Sequence, residues 1–245
     1  MSAVRVYPND VSLAQAAAEW VVQCSAEAIE QHGTFNLALS GGSTPRRTFE
    51  LLADEDHVGR IDWQRTYVFW GDERCVPPDH PESNYRMARQ ALLDHVPIPA
   101  EQIYRMQGEL TPQIAADVYE RILRAHFLTV RGKLPDTTFD LVLLGLGSDG
   151  HTASLFPGTD ALSITTRWST ANHVPQLDTW RLTLTFPCIN AASHVAFLVS
   201  GENKAQRLRQ VIHGETADAE LPAHLVQPRQ GKLVWLVDEA AASAL

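Results

Sequence analysis

Six short apolar runs alternate with longer segments of helical periodicity, and this alternation restricts the fold more than any other feature of the sequence. Most of the runs are continuously apolar, as in Leu141–Leu144, rather than alternating between apolar and polar residues. Continuous runs are typical of parallel strands that helices cover on both faces. The sequence therefore predicts an α/β fold, with strands at residues 4–7, 35–40, 66–70, 139–145, 195–200 and 233–237.

Helices are predicted between these strands, at residues 10–31, 45–53, 83–94, 111–130 and 202–213. Asp10 and Ser12 supply start signals for the first of them, and a proline after a threonine does so for the second and the fourth. No repeat, low-complexity tract or Pro/Gly/Ser-rich linker divides the chain. We therefore expect one α/β domain over residues 1–245.

Composition limits the environment and the partners of the chain. Its 245 residues carry a formal net charge of −9, and no cluster of lysines and arginines could follow a nucleic-acid backbone. Three widely spaced cysteines favour a reducing cytosol over a disulfide scaffold, and neither a membrane span nor a signal-peptide pattern is present. We expect a cytoplasmic monomer or weak homodimer that takes a small-molecule substrate and contacts neither nucleic acid nor membrane.

The segment Ser-Gly-Gly-Ser-Thr-Pro at residues 40–45 follows a predicted strand and opens a predicted helix. Glycines in such a turn can bring backbone N–H groups close to an anion at the positive end of the helix dipole. Two interpretations stay open: a tight turn in which Thr44 caps the helix, or a phosphate cradle. We favour the cradle, formed by Gly41, Gly42, Ser43 and Thr44.

The segment Gly-Leu-Gly-Ser-Asp-Gly at residues 145–150 matches the dinucleotide fingerprint GxGxxG, but its context does not fit. Phe156, Pro157 and Gly158 would stop the helix that this fingerprint requires, and no acidic residue lies at the expected distance. The glycines instead present Asp149 and His151 in a loop at the carboxyl end of a strand. A carboxylate beside an imidazole fixes its tautomer, so we predict that His151 is a general base.

Charged residues also follow other predicted strands. Asp72, Glu73 and Arg74 come directly after the apolar run that ends at Trp70, so they are predicted to lie at the same edge of the sheet. Arg181 and Lys204 lie near later strands, where they could supply a local positive field that the net charge does not.

Taken together, the segments SGGSTP, WGDER, SNYRMA, GLGSDGHTASLFPG, RLTLTFPCINAA and SGENKA resemble, in their order, the 6-phosphogluconolactonase family. The same group includes glucosamine-6-phosphate deaminase. The resemblance extends from about residue 40 to residue 204. It implies a Rossmann-like open, mostly parallel sheet, hydrolysis of 6-phospho-D-glucono-1,5-lactone in the pentose phosphate pathway, and no cofactor.

The resemblance also suggests roles for individual residues. His151 corresponds to the catalytic base, Asp72 and Arg74 to the sugar pocket, and Arg181 and Lys204 to the phosphate site together with residues 41–44. The deaminase branch carries a glutamate five residues after the histidine, where this chain has Phe156. Two alternatives remain: a sugar-phosphate isomerase or deaminase, and a non-catalytic sugar-phosphate sensor. No spacing of ligand residues suggests a catalytic metal.

Overall fold

The computed structural model describes residues 3–132, 137–214 and 221–245. Its main feature is a six-stranded sheet in the order β1-β9-β8-β5-β2-β3, and every neighbouring pair is parallel. Its strands are β1 (Ala3–Tyr7), β2 (Phe35–Leu39), β3 (Thr66–Trp70), β5 (Leu141–Leu144), β8 (His194–Val199) and β9 (Lys232–Asp238). All six predicted strands are therefore confirmed, and so is the α/β, mostly parallel fold class.

The predicted helices are present with small differences. They are α1 (Asp10–His32), α2 (Ser43–Leu52), α3 (Asn84–Ala88), α4 (Pro112–Arg131) and α6 (Ala205–His213), and a short α5 (Phe186–Ile189) was not predicted. The predicted helix at 83–94 is α3 continued by a π-helical turn, Arg89–Leu93. The predicted helix at 202–213 begins as a 3₁₀ turn, Glu202–Lys204, before α6.

The helix starts differ from the expected signals at two places. Asn9, one residue before Asp10, caps α1: its side chain accepts from the Ser12 backbone N–H at 2.9 Å, in a reciprocal capping box. The N-cap of α2 is Gly42, with no side-chain cap, and Thr44 lies inside the helix. The interpretation of Thr44 as a helix cap is therefore wrong.

A second, smaller sheet was not predicted. It has three antiparallel strands in the order β4-β7-β6, namely β4 (Asp72–Arg74), β6 (Ser169–Val174) and β7 (Thr179–Leu184). It joins the main sheet at Gly71, whose carbonyl accepts the backbone N–H of Leu184 at 2.8 Å. The small sheet therefore begins where β3 ends, at the edge of the sheet where the polar loops emerge.

The core lies on both faces of the main sheet, as continuous apolar strands require. Every residue of β2 and of β5 is buried, and α1 buries a face that includes Leu13, Ala17 and Val21. Since parallel strands end at one edge, the loops after β2, β3, β5 and β8 emerge together. Within the described ranges, no helix combines the length and apolar character needed to cross a membrane.

Candidate active site

A cleft of about 300 Å³ opens where the loops after β2, β3, β5 and β8 meet. This is the usual position of a ligand site in an open parallel sheet, outside the carboxyl ends of the strands. Most of the predicted site residues line it: Gly41, Gly42, Ser43, Thr44, Asp72, Arg74, His151 and Lys204. Asp149 is not among the described residues that line the cleft, but it hydrogen-bonds to His151, which is. Arg181 is not among them either.

His151 and Asp149 form a hydrogen-bonded pair in the loop after β5. The His151 Nδ1 atom lies 2.6 Å from Asp149 Oδ1, which also accepts the backbone N–H of His151 at 3.1 Å. Burial alone would raise the pKa of Asp149, but the hydrogen bonds from His151 outweigh it and lower that pKa to about 2. Asp149 is therefore ionised at neutral pH, and it orients the imidazole so that Nε2 is left for the cleft.

The glycines of this loop make room for the His151 ring and do not form a dinucleotide-binding turn. A Cβ atom on Gly147 would lie 2.1 Å from His151 Nδ1, so only glycine leaves room for the ring. The backbone N–H of Gly147 binds the His151 carbonyl at 2.8 Å, and that of Gly150 binds the Gly147 carbonyl at 3.1 Å. No α-helix follows before residue 160, in agreement with our rejection of the GxGxxG match.

Phe156 packs against the catalytic candidate directly. Its ring stacks on the His151 imidazole with 4.1 Å between centroids and an interplanar angle of 24°. Phe156 is buried, so its ring forms a fixed apolar surface under the imidazole. A side chain with no ionisable group therefore occupies the position where the deaminase branch is expected to carry a glutamate.

The start of α2 has the geometry that an anion cradle requires. Gly42 has a φ of 106°, a conformation that disfavours any side chain, and the first N–H groups of the helix have no intrahelical acceptor. A Cβ atom on Gly41 would lie 2.1 Å from the Asn84 Oδ1 atom, so the loop and α3 are in close contact. Lys204 and Ser200 lie across the same cleft, and Lys204 adds a positive charge.

Arg74 and Arg181 face each other across the β4–β7 pair. Arg74 Nη1 donates to the Glu82 carbonyl at 2.5 Å, while Arg181 Nη1 donates to Thr179 Oγ1 at 3.1 Å. Burial, followed by the Arg74 charge, lowers the pKa of Arg181 against the attraction of Asp72. Arg181 thus adds positive field beside Arg74.

Two buried carboxylates follow β3, and they have different surroundings. Glu73 is almost fully buried and accepts from the Ser83 hydroxyl and from the backbone N–H groups of Arg74, Asn84 and Tyr85. Burial raises the pKa of Glu73, and these hydrogen bonds act in the opposite direction. Glu73 therefore fastens the start of α3 to β4, whereas Asp72 lines the cleft.

Sequence analysis assigned no site role to several residues that line the cleft, among them Asn84, Ala153 and Ser200. Asn84 is the first residue of α3, and its side chain donates to the Asp72 carbonyl at 2.9 Å. The available signal was its position one residue after Ser83, whose hydroxyl caps α3. Within the described part of the chain, no three His, Cys, Asp or Glu side chains form a group that could hold a metal.

Comparisons with known proteins extend the resemblance to almost the whole chain. The profile of a family described as "Glucosamine-6-phosphate isomerases/6-phosphogluconolactonase" matches residues 8–235. A 6-phosphogluconolactonase of Nostoc sp. is 43% identical over 243 residues, which cover 99% of this chain and 98% of the relative. A 6-phosphogluconolactonase of Synechocystis sp. is 44% identical over 220 residues, or 89% of this chain and 88% of the relative.

Solved structures give the same result. The 6-phosphogluconolactonase of Trypanosoma cruzi superposes with a TM-score of 0.85 at 32% identity, covering 100% of this chain and 97% of that one. The 6-phosphogluconolactonase of Trypanosoma brucei has a TM-score of 0.83 at 30% identity, with 100% and 99% covered. A monomeric glucosamine-6-phosphate deaminase, 21% identical with a TM-score of 0.78, shares the fold.

Proposed function

The chain belongs to the family of glucosamine-6-phosphate isomerases and 6-phosphogluconolactonases, and we propose that it hydrolyses 6-phospho-D-glucono-1,5-lactone to 6-phospho-D-gluconate. This reaction is a step of the oxidative pentose phosphate pathway. The single observation that carries the proposal is the Asp149–His151 pair at the cleft, with Phe156 stacked on the imidazole. This arrangement provides one base and no second ionisable group at the position expected in the deaminase branch.

The 6-phosphate of the substrate binds at the start of α2. The N–H groups of the Gly41–Gly42 turn and of the first helical residues donate to its oxygens, and Lys204 supplies a counter-charge. Each charge-assisted hydrogen bond contributes about 1.5–3 kcal/mol. Arg181 adds to the positive field from its place beside Arg74. These contacts make the phosphorylated lactone a better substrate than plain gluconolactone.

His151 acts as the general base. Its Nδ1–H donates to ionised Asp149, so Nε2 carries the lone pair that accepts a proton from water. The resulting hydroxide adds to the lactone carbonyl carbon, and the carbonyl oxygen becomes an oxyanion. Because a lactone is an activated ester, base catalysis of about 10²–10⁴-fold is sufficient, and no covalent intermediate is needed.

Arg74 stabilises the oxyanion. The loop N–H groups of Gly147 and Gly150 already have acceptors within the loop, whereas the Arg74 guanidinium lines the same cleft as His151 and can donate to the oxyanion. When the intermediate collapses, the bond from C1 to the ring oxygen breaks, and protonated His151 returns the proton to that oxygen. The product is the open-chain carboxylic acid, which releases its proton to solvent at neutral pH to give 6-phospho-D-gluconate, and His151 is again neutral.

The two alternatives fit the site less well. A deaminase or isomerase must open a pyranose ring and move a proton between C1 and C2, which requires an acid beside the histidine, and Phe156 has none. A sensor without catalysis would need the cradle but no oriented base. The same proposal includes a cytosolic monomer or weak homodimer that needs no cofactor.

The test generates the lactone in place by enzymatic oxidation of glucose 6-phosphate and follows its disappearance with and without the protein. We expect a large acceleration over spontaneous hydrolysis, and no ammonia from glucosamine 6-phosphate at a comparable rate. Ammonia release as fast as lactone hydrolysis would assign the chain to the deaminase branch. No acceleration of lactone loss at all would reject the proposed reaction.

A further inference from the structure

The loop that carries His151 is fastened to the small antiparallel sheet by one buried serine. Ser154 Oγ donates to Asp72 Oδ2 at 2.7 Å, and the Ser154 backbone N–H donates to Thr183 Oγ1 at 3.2 Å. The Ser154 carbonyl accepts from Asn172 Nδ2 at 2.9 Å. These three partners lie on β4, β7 and β6, respectively. Each polar group of Ser154 therefore binds a different strand of the small sheet.

Ser154 is adjacent in the chain to a residue that lines the cleft, so its hydrogen bonds affect the shape of the cleft. Ser154 is 2% exposed, and a hydrogen bond to a charged group away from water is strong and costly to break. Its neighbour Ala153 lines the cleft with a φ of 46°, a left-handed conformation that persists only where the surroundings impose it. The bonds of Ser154 contribute to that restraint, together with the hydrogen bond from the Leu155 N–H to the Thr152 carbonyl at 2.9 Å.

Asp72 is held from two sides. Ser154 binds its Oδ2 atom, and Asn84 Nδ2 lies 3.4 Å from its Oδ1 atom and donates to its backbone carbonyl at 2.9 Å. Asp72 therefore connects the His151 loop to the start of α3, and both segments line the cleft.

We infer that Ser154 is a positioning residue for the hydrolysis: by binding Asp72 it holds the His151 loop at a fixed place relative to the bound lactone. The inference rests on the proposed function for its kinetic part and on the geometry alone for its structural part. Displacing a catalytic group by about 1 Å can cost about 100-fold in rate, so a missing anchor reduces turnover even when the fold is retained.

The experiment compares Ser154→Ala with Ser163→Ala. Ser163 lies in a 3₁₀ turn outside the cleft, where its hydroxyl donates to the Asp160 carbonyl, so the control removes the same atom without touching the site. We expect Ser154→Ala to lower kcat by about 10- to 100-fold. Preference for the phosphorylated lactone should be retained, because the cradle is unchanged. Ser163→Ala should keep the wild-type kcat.

A second measurement does not depend on activity. The ring signals of His151 are assigned in NMR spectra by their loss in His151→Gln, and they are then compared in both serine variants. We expect them to shift in Ser154→Ala and to stay in place in Ser163→Ala. Unchanged ring signals or a wild-type kcat in folded Ser154→Ala would overturn the inference. Wild-type protein without lactonase activity would instead reject the proposed function, and the NMR comparison would still test the geometry.

If Ser154→Ala does not accumulate as folded protein, Thr183→Val replaces it in both measurements. This change is nearly isosteric and removes the oxygen that accepts the Ser154 backbone N–H. We again expect a lower kcat and shifted His151 ring signals, but the loss of kcat should be smaller because the Ser154–Asp72 bond remains. Wild-type kcat together with unmoved ring signals would contradict the inference here as well.

Discussion

The bond between Asp149 and His151 determines which imidazole nitrogen can take a proton. Since Nδ1 faces a carboxylate at 2.6 Å, it carries the hydrogen, and Nε2 is the basic atom. The stacked ring of Phe156 removes the remaining freedom, because it fixes the plane in which the imidazole lies. Two neighbours of different chemistry therefore hold the imidazole of His151 in the tautomer and orientation that the proposed reaction needs.

The same bond predicts a pH dependence of stability. The folded pKa of Asp149, about 2, lies below the ordinary value of about 3.8, so the pair stabilises the folded state fully above about pH 4. This contribution is lost as the pH falls from about 4 to about 2. The Asp149 side chain is 46% exposed, so solvent screening keeps the effect modest.

Acid denaturation of wild type and Asp149→Asn measures this contribution. We expect wild type to have the higher free energy of unfolding above pH 4, and the difference to shrink as the pH falls toward 2. A difference that stays constant from pH 7 to pH 2 would show that the Asp149–His151 bond does not lower this pKa.

At the scale of elements, the start of α2 and the β4–β7 pair form two separate positive regions of the site. Lys204 shares the cleft with the start of α2, whereas Arg181 lies opposite Arg74 on β7. The sequence grouped Lys204 and Arg181 together, because spacing along the chain cannot show which strand edge a side chain will join. The structure distinguishes them, and this difference can be measured.

Lys204→Ala and Arg181→Ala form a matched pair for that purpose. We expect Lys204→Ala to reduce the preference for phosphorylated lactone over plain gluconolactone strongly, since it removes a direct counter-charge worth about 1.5–3 kcal/mol. Arg181→Ala should reduce it less. Steady-state kinetics on both lactones gives the two ratios. Equal ratios in wild type and both variants would remove the two residues from phosphate binding.

The small sheet shows why some elements were not predicted. Its strand β4 has only three residues, all charged, and such a segment is expected in a loop. Asp72 and Glu73 are nevertheless buried, because their hydrogen-bond donors come from Ser154, Ser83, Asn84 and Tyr85. These partners lie 10 to 82 positions away along the chain, so no local pattern reveals them.

At the scale of the whole molecule, the parallel sheet explains why the site was largely predictable. Continuous apolar strands can be recognised from sequence, and their common direction places every loop that follows them at one edge. Gly41, Asp72, His151 and Lys204 are distant in sequence but line the same cleft for that reason. The neighbours that orient them, such as Ser154 and Asn84, depend on tertiary contacts and were missed.

The assembled site also predicts behaviour toward metal chelators. The proposed reaction uses a base, a guanidinium and backbone N–H groups, and a lactone carbonyl needs no Lewis acid at neutral pH. We expect lactonase activity to survive prolonged dialysis against excess chelator. Activity that disappears on dialysis and returns with one particular ion would contradict this expectation.

The most direct test of the account is the turnover of the phosphorylated lactone by His151→Ala, measured above the spontaneous hydrolysis. We expect kcat to fall by about 10²–10⁴-fold with a smaller change in KM, because a general base is lost while the cradle remains. His95→Ala, which changes an exposed histidine whose ring binds the Gln90 carbonyl, should keep the wild-type kcat. A folded His151→Ala protein that turns over the lactone at the wild-type rate would contradict the account.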